Sequence, residues 1–511
     1  MRVALVNEGT YPYVTGGVST WCQQLVTGLT DVTWDLLSIV GVEPDRPAMH
    51  LPANVRSLTA VPVWGQPRPV RSRAERAAAR LCRGMLGDSP ADVAVFGEGL
   101  RQLAELAQPA QRRVARLTGR RRPESMPPSA LSRATAPSAR PPGGSGPLRL
   151  LSNGRHPLGN APLTDILVDA WAQASAQGRT LPRLTLRDAD EAANLIEHAL
   201  RPLAASIPSD VDVVHANANG LSSMVALAAK WRSGVPFLMT EHGVYLRERY
   251  LSPGEQSPGV KTALLRFHRA LARLAYAEAD AITPVSGFNA RWAVRHGADP
   301  RKITVIGNGV DPQRFTPLPD EPADPVIAWV GRIDPLKDLE TLIRALGVVQ
   351  ERVPAARLLL AGPVPTGNDQ YAENCRNLAE QLGLGRDLIW GGPVPSSRDA
   401  FASGQVAALS SISEGMPYTV LEAMMCGRAT VSTDVGGVAE AVGDAGLVVP
   451  PRDPEALGRA CAALLLDAEL RADLVKRGRA RALSTFTLPR CLDSYRRQYV
   501  TLGAAPVGLA R

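Results

Sequence analysis

Between Val326 and Gly437 the chain repeats one unit, in which a short apolar run ends at Gly or Ser and a stretch with helical spacing follows. The runs are Val326–Val330, Arg357–Leu360, Leu388–Trp390, Val406–Leu409 and Ala429–Ser432. Helical spacing fills Leu339–Val353, Tyr371–Leu382 and residues 417–426. Apolar runs without alternation read as strands buried on both faces, and helices between them predict a parallel sheet. The N-terminal half follows the same grammar, with runs at Val3–Val6, Trp34–Val40, Val211–His215, Phe237–Glu241 and Ala281–Val285. Helices are expected at about 19–29, 72–86, 97–117, 187–205 and 488–502. The predicted fold is therefore α/β, with two doubly wound Rossmann-like domains. The loops after the strands are the places to look for a ligand.

Pro317, Pro319, Pro322 and Pro325 crowd one boundary. They divide an N-terminal domain, 1–318, from a C-terminal one, 324–487, and leave 488–511 as a closing helix expected to cross back to the first domain. The first domain is interrupted at about 65–200. Residues 118–148 hold seven Pro and almost no periodic apolar pattern, which reads as a flexible, partly disordered linker. Charge is equally uneven. The chain carries 57 Lys+Arg against 49 Asp+Glu, net +8, yet residues 68–155 alone hold 17 Arg and 6 acids, which leaves the rest at −3. The basic balance thus belongs to one segment and does not indicate nucleic-acid binding. Its arginines read either as a solvated linker or as a contact to anionic lipid or an acidic partner.

Six cysteines (22, 82, 375, 426, 461, 491) form no C-x-x-C pair and read as buried free thiols in a reducing cytosol. No apolar run reaches the ~18–20 residues of a membrane span, and the apolar run at the start is too short for a signal peptide. The expected localisation is cytoplasmic, with peripheral membrane attachment left open. Asp210-Val-Asp212 has the form of a metal-binding pair, but it leads into a strand and reads as a polar strand approach. No tightly bound metal or other cofactor is expected.

Four loops after strands carry chemistry. Gly16-Gly17 precedes a helix, whose N-terminal N–H groups suit phosphate, although a plain tight turn reads equally well. Arg332 and Lys337 bracket the loop after Val330. Together they suit a diphosphate, and in isolation they read as surface charges. Glu414 lies at the mouth of a helix whose first turn contains Pro417, and Glu422 lies further along it. Residues 415–420 offer unpaired N–H groups, and a carboxylate accepts two hydroxyls, as sugar or ribose recognition requires. His242, in Thr240-Glu-His242-Gly-Val-Tyr-Leu-Arg-Glu-Arg249, reads either as a cleft residue or as a structural histidine.

Taken together, Gly16-Gly17, His242, Ile306-Gly-Asn308-Gly-Val-Asp311, Gly331-Arg332 with Lys337, Glu414-x7-Glu422 and Gly436-Gly-Val-Ala-Glu440 resemble family 4 glycosyltransferases of GT-B architecture. The stretch Glu8–Trp21 and the Thr240–Arg249 run further resemble the PelF-type branch, implicated in exopolysaccharide synthesis. The resemblance implies two domains facing a central cleft, and retaining, metal-independent transfer from an NDP-sugar, with a UDP-sugar expected, to a glycan or small-molecule acceptor. By the same resemblance Arg332 and Lys337 hold the diphosphate, Glu414 the donor-sugar hydroxyls and Glu422 the ribose. Gly16 and Gly17 approach the diphosphate, and His242 sits near donor sugar and acceptor. Asn308, Gly415, Met416, Pro417 and Thr419 complete the donor site, and the catalytic group is His242, Glu414, Arg332 and Lys337. Val14 stands where starch and glycogen synthases carry Lys, which argues against a glycogen synthase. Residues 68–200 depart from a typical member. A non-catalytic sugar-nucleotide-binding subunit of a membrane polysaccharide synthase is the alternative.

Overall fold

The computed structural model describes residues 1–9, 11–41, 47–64, 74–107, 148–150, 157–159, 161–251, 256–318 and 321–504. Among the described residues thirteen strands lie in two sheets, both fully parallel. The first comprises β1 (Arg2–Glu8), β2 (Thr33–Val40), β3 (Val55–Pro62), β4 (Leu148–Leu150), β5 (Val213–Ala216), β6 (Phe237–Glu241) and β7 (Ala281–Pro284), in the order β4-β3-β2-β1-β5-β6-β7. The second comprises β8 (Val326–Val330), β9 (Arg357–Ala361), β10 (Leu388–Gly392), β11 (Val406–Leu409), β12 (Ala429–Thr433) and β13 (Leu447–Val449), in the order β10-β9-β8-β11-β12-β13.

Helices cover both sheets. In the first half they are α1 (Gly17–Gly28), α2 (Ala74–Met85), α3 (Pro90–Leu106), α4 (Leu163–Ala176), α5 (Leu186–Leu200), α6 (Leu221–Ser233), α7 (Tyr245–Leu251), α8 (Pro258–Glu278) and α9 (Gly287–Arg295). In the second they are α10 (Leu339–Gln350), α11 (Asp369–Gln381), α12 (Ser397–Ala402), α13 (Tyr418–Cys426), α14 (Val438–Val442), α15 (Pro454–Leu466), α16 (Ala468–Thr485) and α17 (Leu488–Gly503). The doubly wound α/β architecture agrees with the pattern of apolar runs. The strands β3, β4 and β13 and the helix α4 were not legible in that pattern. Residues 118–147 of the expected linker lie outside the described residues.

Strand order reverses between β1 and β5 in the first sheet and between β8 and β11 in the second. Loops leaving such a switch point diverge to opposite faces of the sheet and open a crevice at the strands' carboxyl ends. At the other end of the first sheet, Asp212 accepts a hydrogen bond from the Arg2 backbone N–H (2.8 Å), and Asp210 pairs with Arg2 and Arg56. The Asp210-Val-Asp212 pair is therefore held in an amino-edge ion cluster. All six cysteines are buried and free.

After the second sheet the chain returns to the first. Cys491, Tyr495, Tyr499 and Leu502 of α17 share one apolar cluster with Leu5, Trp21, Trp34 and Leu238. The buried His215 of β5 explains the tyrosines. One ring nitrogen lies 2.7 Å from the Tyr499 hydroxyl, and the other lies 2.8 Å from Thr240 Oγ1, which also meets Tyr495 (3.2 Å). Burial holds this imidazole neutral, with its pKa lowered to about 3, so it can donate at one nitrogen and accept at the other. Tyr495 is fully buried. Tyr495→Ala is expected to destabilise the fold by ~3–5 kcal/mol through lost burial and the cavity left behind, read as a lowered denaturant midpoint.

Candidate functional site

The loop after β8 is fixed before it meets any ligand. Asp334 caps a short turn over Pro335–Lys337, and Asp338, in the left-handed region (φ 48°), accepts from the Thr341 hydroxyl (2.7 Å) at the start of α10. Ser410, at the end of β11, donates to the Lys337 carbonyl (2.7 Å), so the two switch-point loops are tied together. Lys337 Nζ reaches Glu414 Oε1 at 2.5 Å, and Ser411 Oγ donates to the same oxygen (2.6 Å). Arg332 is exposed and makes no hydrogen bond or ion pair among the described residues. The two cations that the sequence groups together thus differ: Lys337 holds Glu414, and Arg332 is uncommitted.

Glu422 lies on α13, where burial raises its carboxyl pKa and the Ser397 hydroxyl donates to it (2.5 Å). Pro417 does not lie in the first turn of α13, as the sequence suggests, but is the extended cap residue just before it, where its missing N–H leaves nothing unpaired. Met416 is buried, and its carbonyl accepts from Asn308 Nδ2 (2.7 Å). Asn308 therefore shapes the mouth of α13 from below, with its amide nitrogen already committed. Thr419 is half-buried in the first turn of α13.

The first sheet meets this mouth through backbone. A Cβ built on Gly415 would lie 1.6 Å from the carbonyl oxygen of His242. Only Gly permits that approach, and it puts the loop after β6 against the loop after β11. Arg247 on α7 donates to Ser413 Oγ (2.5 Å) and to the Ile412 carbonyl (3.3 Å). Glu440 accepts from the Gly287 N–H at the start of α9 (2.6 Å), a carboxylate on the positive end of a helix. Tyr418 donates to Gln24 on α1 (2.9 Å). Gly16 precedes α1 with open space at its Cβ position, and Gly17 packs near the Tyr418 ring.

His242 lies edge-on to Trp21, with ring centroids 4.4 Å apart, and its buried Nε2 has no partner. Burial lowers its pKa to about 3 and keeps the ring neutral. Sequence reasoning missed several groups near it. Glu8, at the end of β1, accepts from the Leu221 N–H at the start of α6 (2.8 Å) and from the Tyr245 hydroxyl (2.8 Å). Arg249 in turn donates to that hydroxyl and stacks over its ring. Burial raises the Glu8 carboxyl pKa. Glu248, on the same short helix, has its pKa raised to about 7, first by burial and then by Glu414. The signal that finds these residues is the density of polar side chains directly after β6.

Among the described residues no group of three His, Cys, Asp or Glu is placed to hold a metal ion. A separate cavity of about 530 Å³ lies between α2, α3 and α4, lined by Arg83, Asp92, Val95, Glu98 and Gln173, away from these loops.

The glycosyl transferases group 1 model matches residues 312–481, and the model described as a domain of unknown function, DUF3492, matches 1–117 and 163–301, half of the chain. The D-inositol 3-phosphate glycosyltransferase of Saccharomonospora viridis is 31% identical over 324 residues, 58% of this chain and 71% of that protein. The protein of the same name from Stackebrandtia nassauensis is 32% identical over 298 residues, 54% of this chain and 65% of that protein. The match thus spans about two thirds of the relatives' length. Among solved structures, sucrose-phosphate synthase from Thermosynechococcus elongatus superposes with a TM-score of 0.62 at 18% identity, covering 99% of this chain and all of that one. Anabaena HepE in complex with UDP superposes at 0.57 and 15% identity, covering 98% of this chain and 100% of that one. These likenesses establish the GT-B fold. The chain belongs to the group 1 glycosyl transferases, with an N-terminal half of the DUF3492 family.

Two outcomes are expected of this geometry. The ring nitrogen signals of His242 in NMR should stay fixed from about pH 8 to about pH 5, where an exposed imidazole titrates. Gly415→Ala must part the α13 mouth from His242 and should lower the melting temperature, checked by calorimetry.

Proposed function

We propose that the chain transfers a hexosyl unit from a nucleoside-diphosphate sugar, a UDP-sugar in the first instance, to a hydroxyl of a saccharide or related acceptor, with retention at the anomeric carbon. The observation that carries this reading is the Lys337–Glu414 pair at the switch point of the second sheet, beside an uncommitted Arg332 and the open N-terminus of α13. Breaking a bond from a sugar carbon to a diphosphate places negative charge on the leaving group. Fixed cations and helix N–H groups act where that charge develops. Arg332 offers a bidentate fork and Lys337 a point charge, so the diphosphate can be neutralised by side chains, and a tightly bound metal is not part of the proposal.

On donor binding, Lys337 exchanges part of its contact with Glu414 for phosphate, and Glu414 turns its second oxygen to sugar hydroxyls. Glu422, further along α13, is the ribose carboxylate. Gly16 and Gly17 bring the backbone of the first domain to the diphosphate. His242, held neutral, borders the transferred sugar. The solved HepE complex, which contains UDP, supports the choice of nucleotide. Within the group 1 enzymes we place the chain in family 4 and its PelF-type branch, on the Thr240–Arg249 and Glu8–Trp21 runs, and hence in exopolysaccharide or cell-surface glycan synthesis. No helix among the described residues is long and apolar enough to cross a membrane. Peripheral contact with a membrane synthase is part of the proposal.

The donor reading is tested by thermal shift against UDP-, GDP- and ADP-sugars. A ligand at about 100 times its dissociation constant adds ~2.7 kcal/mol of stability, a shift of several degrees. Arg332→Ala should fold as the parent does and lose the shift, because its side chain is exposed. Lys337→Ala should also lose it. A parent chain that shifts with no nucleoside diphosphate would defeat the donor reading.

A further inference from the structure

Glu440 has no part in holding the donor, yet its carboxylate bridges the two halves of the molecule. It lies in the first turn of α14, which follows β12 of the second sheet. Its own half anchors it, because Arg481 on α16 donates to the Glu440 carbonyl (2.7 Å) and to the Ala441 carbonyl (2.9 Å). Its side chain crosses to the first half. One carboxylate oxygen accepts from the Gly287 N–H (2.6 Å), and the other lies 3.3 Å from the exposed Arg291 guanidinium. The turn before it is pressed on the same spot. The Gly437 N–H donates to the Gly415 carbonyl (2.9 Å), and a Cβ on Gly437 would lie 2.5 Å from Ser286 Cβ.

Glu440 thus holds the start of α9, and α9 in turn holds the His242 turn. Ser286 caps the helix, its hydroxyl accepting from the Asn289 N–H (3.2 Å). Asn289 is buried, and its side-chain amide donates to the Glu241 carbonyl (2.9 Å), part of the peptide group that joins Glu241 to His242. The Val285 N–H donates to the same carbonyl (3.2 Å). The next carbonyl, that of His242, faces Gly415. The backbone of His242 is therefore gripped at both of its peptide groups, one from α9 and one from the mouth of α13.

We propose that Glu440 is a positioning residue for transfer: by holding the start of α9 it sets, through Asn289, where the His242 ring stands against the donor sugar. This rests on the donor reading above. A carboxylate suits the task, since it takes up an N–H that the first turn of α9 leaves unpaired and meets the positive end of the helix dipole. The path is short. A change at Glu440 reaches the Glu241–His242 peptide through the first turn of one helix. Arg291 is exposed, and its pair with Glu440 adds little.

The test uses the full chain, the sugar nucleotide that gives the largest thermal shift and a panel of methyl glycosides as acceptors, at a temperature where each variant is folded. Glu440→Ala should keep the nucleotide-induced shift, because Arg332 and Lys337 lie in the second half, and its donor KM should stay near the parent's. Its kcat should fall ~10²-fold, the loss that a displacement of about 1 Å at a reacting group produces. With histidine isotopically labelled, the NMR ring signals of His242 should move in Glu440→Ala. Lowered stability alone changes neither the kcat of the folded protein nor those signals. Glu440→Gln, which keeps an oxygen for the Gly287 N–H, should recover most of the turnover, and Arg291→Ala should match the parent. Asn289→Ala should reproduce the loss, and it serves if Glu440→Ala does not fold. The double variant should lose no more than the worse single one, as two residues in one path do. Turnover of Glu440→Ala within about threefold of the parent, or His242 signals that stay in place, overturns the assignment and leaves the donor reading intact. A parent that binds nucleotide but transfers to no acceptor is a binding subunit, and the assignment falls. If no nucleotide shifts the parent, the donor reading fails and this assignment falls with it.

Discussion

The two halves of this protein meet backbone to backbone, and the approach of Gly415 to the His242 carbonyl sets the distance between them. Each half is a parallel sheet covered on both faces by helices, so neither sheet offers an open apolar face to the other. Apart from α17, which packs on the first sheet, the two sheets meet through the loops at their carboxyl ends. A side chain at position 415 would hold those loops apart. Without one, the mouth of α13, the turn after β6 and the start of α9 converge, and Arg247 and Glu440 bind across the junction. The closeness of the backbones brings polar groups from both switch points within reach of one another.

That convergence has an electrostatic cost, which the structure distributes. Carboxylates at Glu8, Glu248 and Glu422 are drawn out of water, and their pKa values rise for that reason first. Glu8 takes a helix N-terminal N–H and the Tyr245 hydroxyl, and Glu422 takes the Ser397 hydroxyl. Lys337 is paired with Glu414, and Arg332 is exposed with no hydrogen bond or ion pair among the described residues. Preorganised charge of this kind is worth more in a cleft than in water, because little solvent has to be moved when the ligand arrives. Closure of the two domains over a donor would add to the effect by excluding water.

The sheets were legible because strands in a buried parallel sheet cannot alternate polar and apolar residues. The exceptions follow the same physics. The strand β3 begins with Val55-Arg56-Ser57 and is only part-buried there, β4 and β13 are three residues long, and α4 sits in the stretch that departs from the family pattern. Candidate site residues are legible in the sequence where polar groups follow the end of a strand, as Glu414, Lys337 and His242 do. Asn308, which the family resemblance puts in the donor site, donates its amide nitrogen to the Met416 carbonyl. Glu8 and Tyr245, 237 residues apart, showed no link in the sequence.

The sequence by itself determined that two doubly wound parallel sheets form, where most of their strands lie, and which loops carry charge, because each of these depends on local pattern. Only the tertiary structure decided which charges pair. Lys337 and Glu414 are 77 residues apart, and the Glu248 carboxyl is pushed up first by burial and then by Glu414 in the other domain. Pairing and pKa depend on distance and burial, and both are fixed only when the two sheets come face to face.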